Sequence, residues 1–264
     1  MQRRRLLDFD RILSYASDIG AGMLKSGAEI NRVEDTISRI CGHFSAKNIN
    51  VFATPYNIVT TAEFNDLTYT QSRRVITMSY NLQSLAMYNE LSRQICNNNV
   101  SVLEIEDKIN KIKNTSGASE IRIINSYFFI GLGFCIFFGG SLKDSIVAGL
   151  ISIIMRFVET SLKKVNINRF IVISACGFII AILSTSAERI GSGLSSEHIS
   201  IGIIMILISG LLFTNSFKEM FMDNILTGAI KLFEALFIAM AVCIGFALAS
   251  ILNWELLWIR LYKF

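Results

Sequence analysis

From Ile123 onward the sequence is dominated by apolar stretches of up to about 18 residues, close to the roughly 20 that a helix needs to cross a bilayer. Nothing constrains the fold more, because backbone groups inside lipid find no water and must be satisfied within a helix. The composition agrees, with 52% hydrophobic and 17% charged residues and a mean hydropathy of +0.49. Up to about Ser119 charged and apolar residues alternate instead, as in a soluble domain. The expected architecture is an α-helical membrane protein, with five transmembrane helices (120–264) preceded by a small cytoplasmic α+β head domain (1–119).

The five spans are expected at Ile123–Gly140, Ser145–Leu162, Phe170–Ala187, Ile199–Phe213 and Ile225–Leu252. If the head is cytoplasmic, the inner side collects nine basic residues: Lys108, Lys111, Lys113, Arg122, Arg156, Lys163, Lys164, Arg169 and Lys218. The outer side collects four, Lys143, Arg189, Arg260 and Lys263. The positive-inside rule then places the head inside and, with an odd number of spans, the C-terminus outside. The predicted location is the cytoplasmic (inner) membrane.

Three spans carry polar interruptions. Arg156 and Glu159 stand three residues apart on one helix face and read as an interfacial ion pair. Lys231 and Glu234 repeat that spacing near the start of the last span, at the interface or on a pathway through the membrane. The fourth span, "HISIGIIMILISGLLFTNSFKEMFMDN", is short, contains Gly202 and Gly210, and runs into Thr214, Asn215, Lys218, Glu219 and Asp223. It reads either as a broken helix at a transporter binding site or as a short span followed by a solvated loop.

In the head, Phe9, Ile12, Ala16, Ile19 and Met23 recur at helical spacing, and a second helix carries the apolar stripe Ile30, Val33, Ile37, Ile40 and Phe44. "INVFATP", "YNIVTTAEF" and "LTYTQSRRVITM" predict a small antiparallel sheet, with a turn at Asn65-Asp66. Helices at Asn81–Cys96 and Val102–Ile112 follow, and "NTSGAS" links head to membrane. Ser26 and Glu29 have capping-box spacing, while Glu34 and Asp35 read as solvated. Glu29, Arg32 and Thr36 remain as a polar edge beside the packed stripe, suited to docking the head onto the membrane part or a second head.

Several function classes find no support. Five dispersed cysteines show no C-x-x-C spacing, so neither a disulfide framework nor a metal site is expected. The net charge of +4 comes from basic residues flanking spans, without the interleaved aromatics of a nucleic-acid surface. Asp8, Asp10 and Arg11 interrupt the start, so a cleaved signal peptide is not expected. No Walker sequence and no cofactor motif occurs, which favours a secondary transporter over an ATPase. The alternatives are a membrane-anchored hydrolase using Glu29, Arg32, Glu34, His43 or Thr54, and a sensor acting through the head.

"MLKSGAEINRVEDTISRI" followed by "VFATPYNIVTT" resembles the N-terminal domain of the threonine/serine exporter family, the ThrE/YjjP type. The resemblance rests on Gly27, Ala28, Glu29, Arg32, Val33, Glu34 and Thr36, then Thr54 and Pro55. Around the fourth span Gly210, Thr214, Asn215 and Gly228 fit the family, but Ser209 and Leu212 stand where prolines are expected, and Lys218 and Glu219 replace an Arg and an Asp. On this comparison charge is kept and the proline-made breaks are lost. The resemblance implies an exporter of small metabolites, threonine and serine in fused members or a dicarboxylate such as succinate in split ones. It also implies a homo- or hetero-oligomer in which this chain is the larger component beside a smaller multi-span partner of the YjjB type. Lys218 or Lys231 would receive a substrate carboxylate, Thr214 and Asn215 would line the site, and Glu219 or Glu234 would serve proton coupling.

Overall fold

The computed structural model describes residues 2–76, 80–97, 99–115, 118–165, 167–191 and 193–262, with side chains described from 9 to 252. Thr77 and Met78 of the third predicted strand, residues 116–117 of the predicted linker, and Lys263 lie outside the described residues, as does the side chain of Arg260. By its contacts the chain divides into two compact units, Met1–Gly117 with Lys218–Ile230, and Ala118–Phe217 with Lys231–Phe264.

In the first unit the helices α1 (Gln2–Lys25) and α2 (Ile30–His43) precede three strands, β1 (Lys47–Thr54), β2 (Asn57–Phe64) and β3 (Leu67–Arg74), then α3 (Leu82–Cys96) and α4 (Val102–Lys113). The strands form an antiparallel meander in the order β1-β2-β3. Its second turn is Asn65-Asp66, both at positive φ (50° and 59°), the conformation that Asn and Asp tolerate in a two-residue hairpin. At the first turn Thr54 Oγ1 accepts from the amide of Asn57 (3.1 Å) and Pro55 sits between them, so Thr54 and Pro55 build a hairpin corner. Ile58, Thr60 and Ala62 point from β2 into a core shared with Phe9, Leu13, Ile19 and Met23 of α1 and the Ile30, Val33, Ile37 and Ile40 stripe of α2, as the helical spacing predicts.

The predicted capping box at Ser26 and Glu29 does not form. α1 ends in a Schellman-like turn in which the amides of Ser26, Gly27 and Ala28 return to Gly22, Leu24 and Met23, and the Ser26 hydroxyl donates to the Gly22 carbonyl (2.8 Å). Ser26 therefore belongs to the end of one helix, while Glu29 itself is the N-cap residue of the next and makes no side-chain cap bond. The turn requires Gly27, whose φ is +94° and whose missing Cβ would meet Tyr80 Cδ1 at 2.6 Å. Gly27→Ala should cost about 1–2 kcal/mol for the left-handed backbone, more with the clash; an unchanged denaturation midpoint would contradict this. A reciprocal cap does occur at α4, where Glu104 accepts from the Ser101 amide (3.1 Å), which holds its carboxyl below the ordinary range.

The second unit contains α5 (Glu120–Phe137), α6 (Leu142–Lys164), α7 (Arg169–Ile190), α8 (Ser196–Leu207), most of α9 (Gly210–Phe221) and α10 (Ile225–Tyr262) beyond its first turns. Four helices, α5, α6, α7 and α10 over Ile225–Leu252, are long and apolar enough to cross a membrane. The pair α8 and α9 makes a fifth if counted as one span, and it is bent by 53°. Helices in lipid gain little from apolar burial against one another, so close approach at small residues matters. A Cβ on Gly202 would lie 2.8 Å from Cys135 Cβ, and one on Gly149 2.7 Å from the Phe128 ring. A Cβ on Gly177 of α7 would lie 2.8 Å from the Val242 carbonyl of α10, and one on Gly245 of α10 would fall onto the Ser174 carbonyl of α7. Outward positions such as Phe137, Leu150, Phe157, Phe237 and Leu248 are exposed apolar residues, as lipid-facing surfaces require.

Candidate functional site

The helix pair α8–α9, where the fourth span is expected, breaks without proline. α8 ends with Ile208 in an extended conformation, and Ser209 starts α9: its Oγ accepts from the Leu212 amide (3.3 Å), and its carbonyl accepts from the amides of Leu212 (3.1 Å) and Phe213 (3.3 Å). The expectation that the break is lost with the prolines is corrected, because a serine N-cap restarts the helix as well. The alternative of a solvated loop is also corrected: Thr214, Asn215, Lys218 and Glu219 all lie within α9.

α9 ends in a tight turn with Asp223 at φ 64°, where the Asn224 amide returns to the Glu219 carbonyl (2.9 Å), and α10 begins at Ile225. Within the first unit this turn meets the start of α2. Lys218 Nζ pairs with Glu29 Oε1 at 2.6 Å. The Glu219 carboxylate accepts from the backbone N–H of Ile30 (3.3 Å, at the long end) and from Asn224 Nδ2 (3.0 Å). Asn224 Nδ2 also donates to Asn31 Oδ1 at 2.8 Å. The N-terminus of α2, uncapped by its own side chains, is thus capped by an acid 189 residues further on. A carboxylate there meets both a free amide and the positive end of the helix dipole.

The two halves of this contact differ in environment. Glu219 is 1% exposed, so its charge needs these donors, whereas the Lys218 and Glu29 side chains are 52% and 35% exposed. Lys218→Ala should therefore change the unfolding free energy by only about 0–1 kcal/mol; a larger loss in thermal or denaturant melts would assign the pair a greater role.

The family model for ThrE, a threonine/serine exporter, matches residues 14–253. The chain belongs to the threonine/serine exporter family. Members of this family are transporters rather than enzymes, and the match runs from α1 through α10, so the α2 motif and the α9–α10 turn both lie inside the family region. No curated protein and no solved structure matches the chain.

In this threonine/serine exporter family member the remaining predicted residues take varied places. Thr214 is exposed and Asn215 half-buried, while the neighbouring Ser216 is buried and donates to the Phe213 carbonyl (2.6 Å). Lys231 is buried on the face of α10 that also buries Thr227 and Ile238. Glu234 pairs with Arg169 at the start of α7 (2.6 Å), so its nearest cation is on another helix. The i, i+3 reading fails similarly on α6: Glu159 pairs with Lys163 and accepts from Tyr127 (2.8 Å), while Arg156 reaches Glu120 at 3.5 Å and lies over the Tyr127 ring.

In the head, Glu34 is not merely solvated, since it accepts from the Ala53 amide (2.8 Å) and ties α2 to β1. Asp35 pairs with Arg39 on the surface. Thr36 is buried with its hydroxyl on the Arg32 carbonyl (2.8 Å). Sequence reasoning passed over Asn31 and Asn224, although Asn224, standing between two helical patterns, is itself a start signal. It also passed over Asp144, buried in the second unit, which accepts from Ser141 (2.7 and 2.9 Å) and from the Ser195 amide (2.8 Å) and fixes the α5–α6 turn to the start of α8.

Proposed function

We propose that this chain is the larger subunit of a two-component secondary exporter in the cytoplasmic membrane. It carries threonine and serine, or a dicarboxylate such as succinate, and is coupled to the proton gradient. The head is cytoplasmic, the C-terminus lies outside, and a smaller YjjB-type multi-span subunit completes the complex.

The observation that carries this reading is the interrupted fourth span. A helix break at membrane depth is tolerated only where it lines protein or a cavity, and half-helix ends there suit charged ligands. Thr214 and Asn215 follow the break within two turns, and the family's cargo carries a carboxylate. In this reading Thr214 and Asn215 line the path, Lys231 or Lys218 receives the carboxylate, and Glu219 or Glu234 carries the proton.

The test is counterflow of labelled serine, threonine and succinate in vesicles containing this chain, with and without a small multi-span partner. Flux that needs both proteins and is abolished by a proton uncoupler is expected. Absence of flux with every substrate sinks the exporter reading, and full flux from this chain alone removes the second subunit.

A further inference from the structure

The head carries a polar groove apart from the residues assigned above to the transport path. It lies between α2 and α3, has a volume of about 400 Å³, and is lined by Arg32, Asp35 and Arg39 from one helix and Asn89, Ser92 and Arg93 from the other. Its charges are unevenly committed. Arg39 pairs with Asp35 at 2.9 Å and Arg93 with Glu90 at 3.0 Å, each along its own helix and each well exposed, so both pairs exchange easily. The guanidinium of Arg32 meets no acid among the described residues.

The neutral groups have the opposite bias. Asn89 spends one of its two amide N–H groups on the Leu85 carbonyl (2.8 Å), and its Oδ1 remains an acceptor. Ser92 donates its hydroxyl to the Asn89 carbonyl (2.8 Å) and keeps its oxygen lone pairs. One groove therefore offers a fork for a carboxylate on Arg32 and acceptors for an ammonium on Asp35, Asn89 and Ser92. A simple anion would leave those acceptors unused, and a simple cation would face three guanidinium groups.

We propose that this groove binds a free α-amino acid as its zwitterion, through its carboxylate on Arg32 and its ammonium on Asp35, Asn89 and Ser92. The ligand class deepens the exporter reading: the amino acid is the cargo itself, sensed by the head at a site separate from the transport path. Arg32 and Thr36, which sequence reasoning assigned to a docking edge, then serve recognition.

Cys96 lines the groove and is half-buried, whereas Cys243 lies exposed on α10, so the protein carries its own reporter and its own control. In the full chain in detergent, threonine should slow maleimide labelling of Cys96 at least fivefold and leave Cys243 unchanged. N-acetylthreonine and threonine amide, each lacking one charge, should give no protection. Arg32→Gln should raise the threonine concentration for half-protection at least tenfold, and Asp35→Asn should raise it too. Unslowed labelling of Cys96, equal protection by N-acetylthreonine, or undiminished protection in Arg32→Gln would each overturn the proposal. Protection of Cys96 with no counterflow would sink the exporter reading alone; counterflow with Cys96 unprotected would sink the groove alone.

Discussion

Glu219→Ala is expected to destabilise the first unit and to abolish transport. The residue is 1% exposed and supplies acceptors to the Ile30 amide and to Asn224, so removing it leaves the buried Ile30 amide without its partner, while Asn224 keeps Asn31. That costs about 1–3 kcal/mol, which for chains of about this size lowers a melting temperature by roughly 2–4 °C per kcal/mol. Glu219→Gln separates the two roles of the side chain. Its amide oxygen can still accept from Ile30, so most of the stability should return, while the group can no longer bind or release a proton. On the exporter reading the Gln variant folds and assembles but does not drive accumulation against a gradient. Wild-type melting of the Ala variant would remove the capping role, and wild-type accumulation by the Gln variant would remove the proton role.

Gly245→Leu is expected to break the seam between α7 and α10. The new Cβ would land on the Ser174 carbonyl, a backbone atom that cannot rotate away as a side-chain tip can, and a Cβ added to Gly177 one turn along would lie 2.8 Å from the Val242 carbonyl. Overpacking of a close core commonly costs about 1–3 kcal/mol, and with backbone on both sides the upper end is expected. A Gly177→Leu change should fail in the same way, and the pair should be less than additive because both open one interface. Gly133 is the control, since nothing lies within 4 Å of a Cβ built there. Thermal melts of purified protein in detergent decide the matter: equal melting of the Gly245 and Gly133 variants would mean that the seam is not tight.

Where the signal was local, the sequence was a good guide. The sheet followed from β-branched runs separated by Asn65-Asp66 and a proline, and each of the three predicted segments holds one antiparallel strand, the third ending at Arg74. The long apolar runs located the four long candidate spans to within a few residues, because such a span is defined by length and composition together. The fourth stretch, expected to end at Phe213, instead continues in α9 to Phe221. The glycine and polar tail of the fourth apolar stretch left a break as one of two readings, and a serine rather than the expected prolines makes it.

Charge partners were not legible. Arg156 with Glu159 and Lys231 with Glu234 have the spacing of helical neighbours, yet Glu159, Arg156 and Glu234 take other partners, two of them on different helices. Proximity on one helix face permits a pair worth only a few tenths of a kcal/mol, and a better-placed partner elsewhere wins. Glu29 was misread for a related reason: its local capping role was taken by the end of α1, and its real partner lies 189 residues away. No pattern in a single sequence reports a contact of that separation.

That separation has a consequence for how the protein is made. The first unit consists of Met1–Gly117 and Lys218–Ile230, so its last piece leaves the ribosome only after the 100 residues 118–217 have been synthesised. At about 5–20 residues per second the nascent head waits on the order of 5–20 s with the first turn of α2 lacking its acid cap. Throughout that interval helices α5 to α8 and most of α9 are being made. The first unit therefore completes its fold only once the end of α9 has been made, and a chain stalled or truncated before Lys218 leaves an exposed helix end for quality control to find.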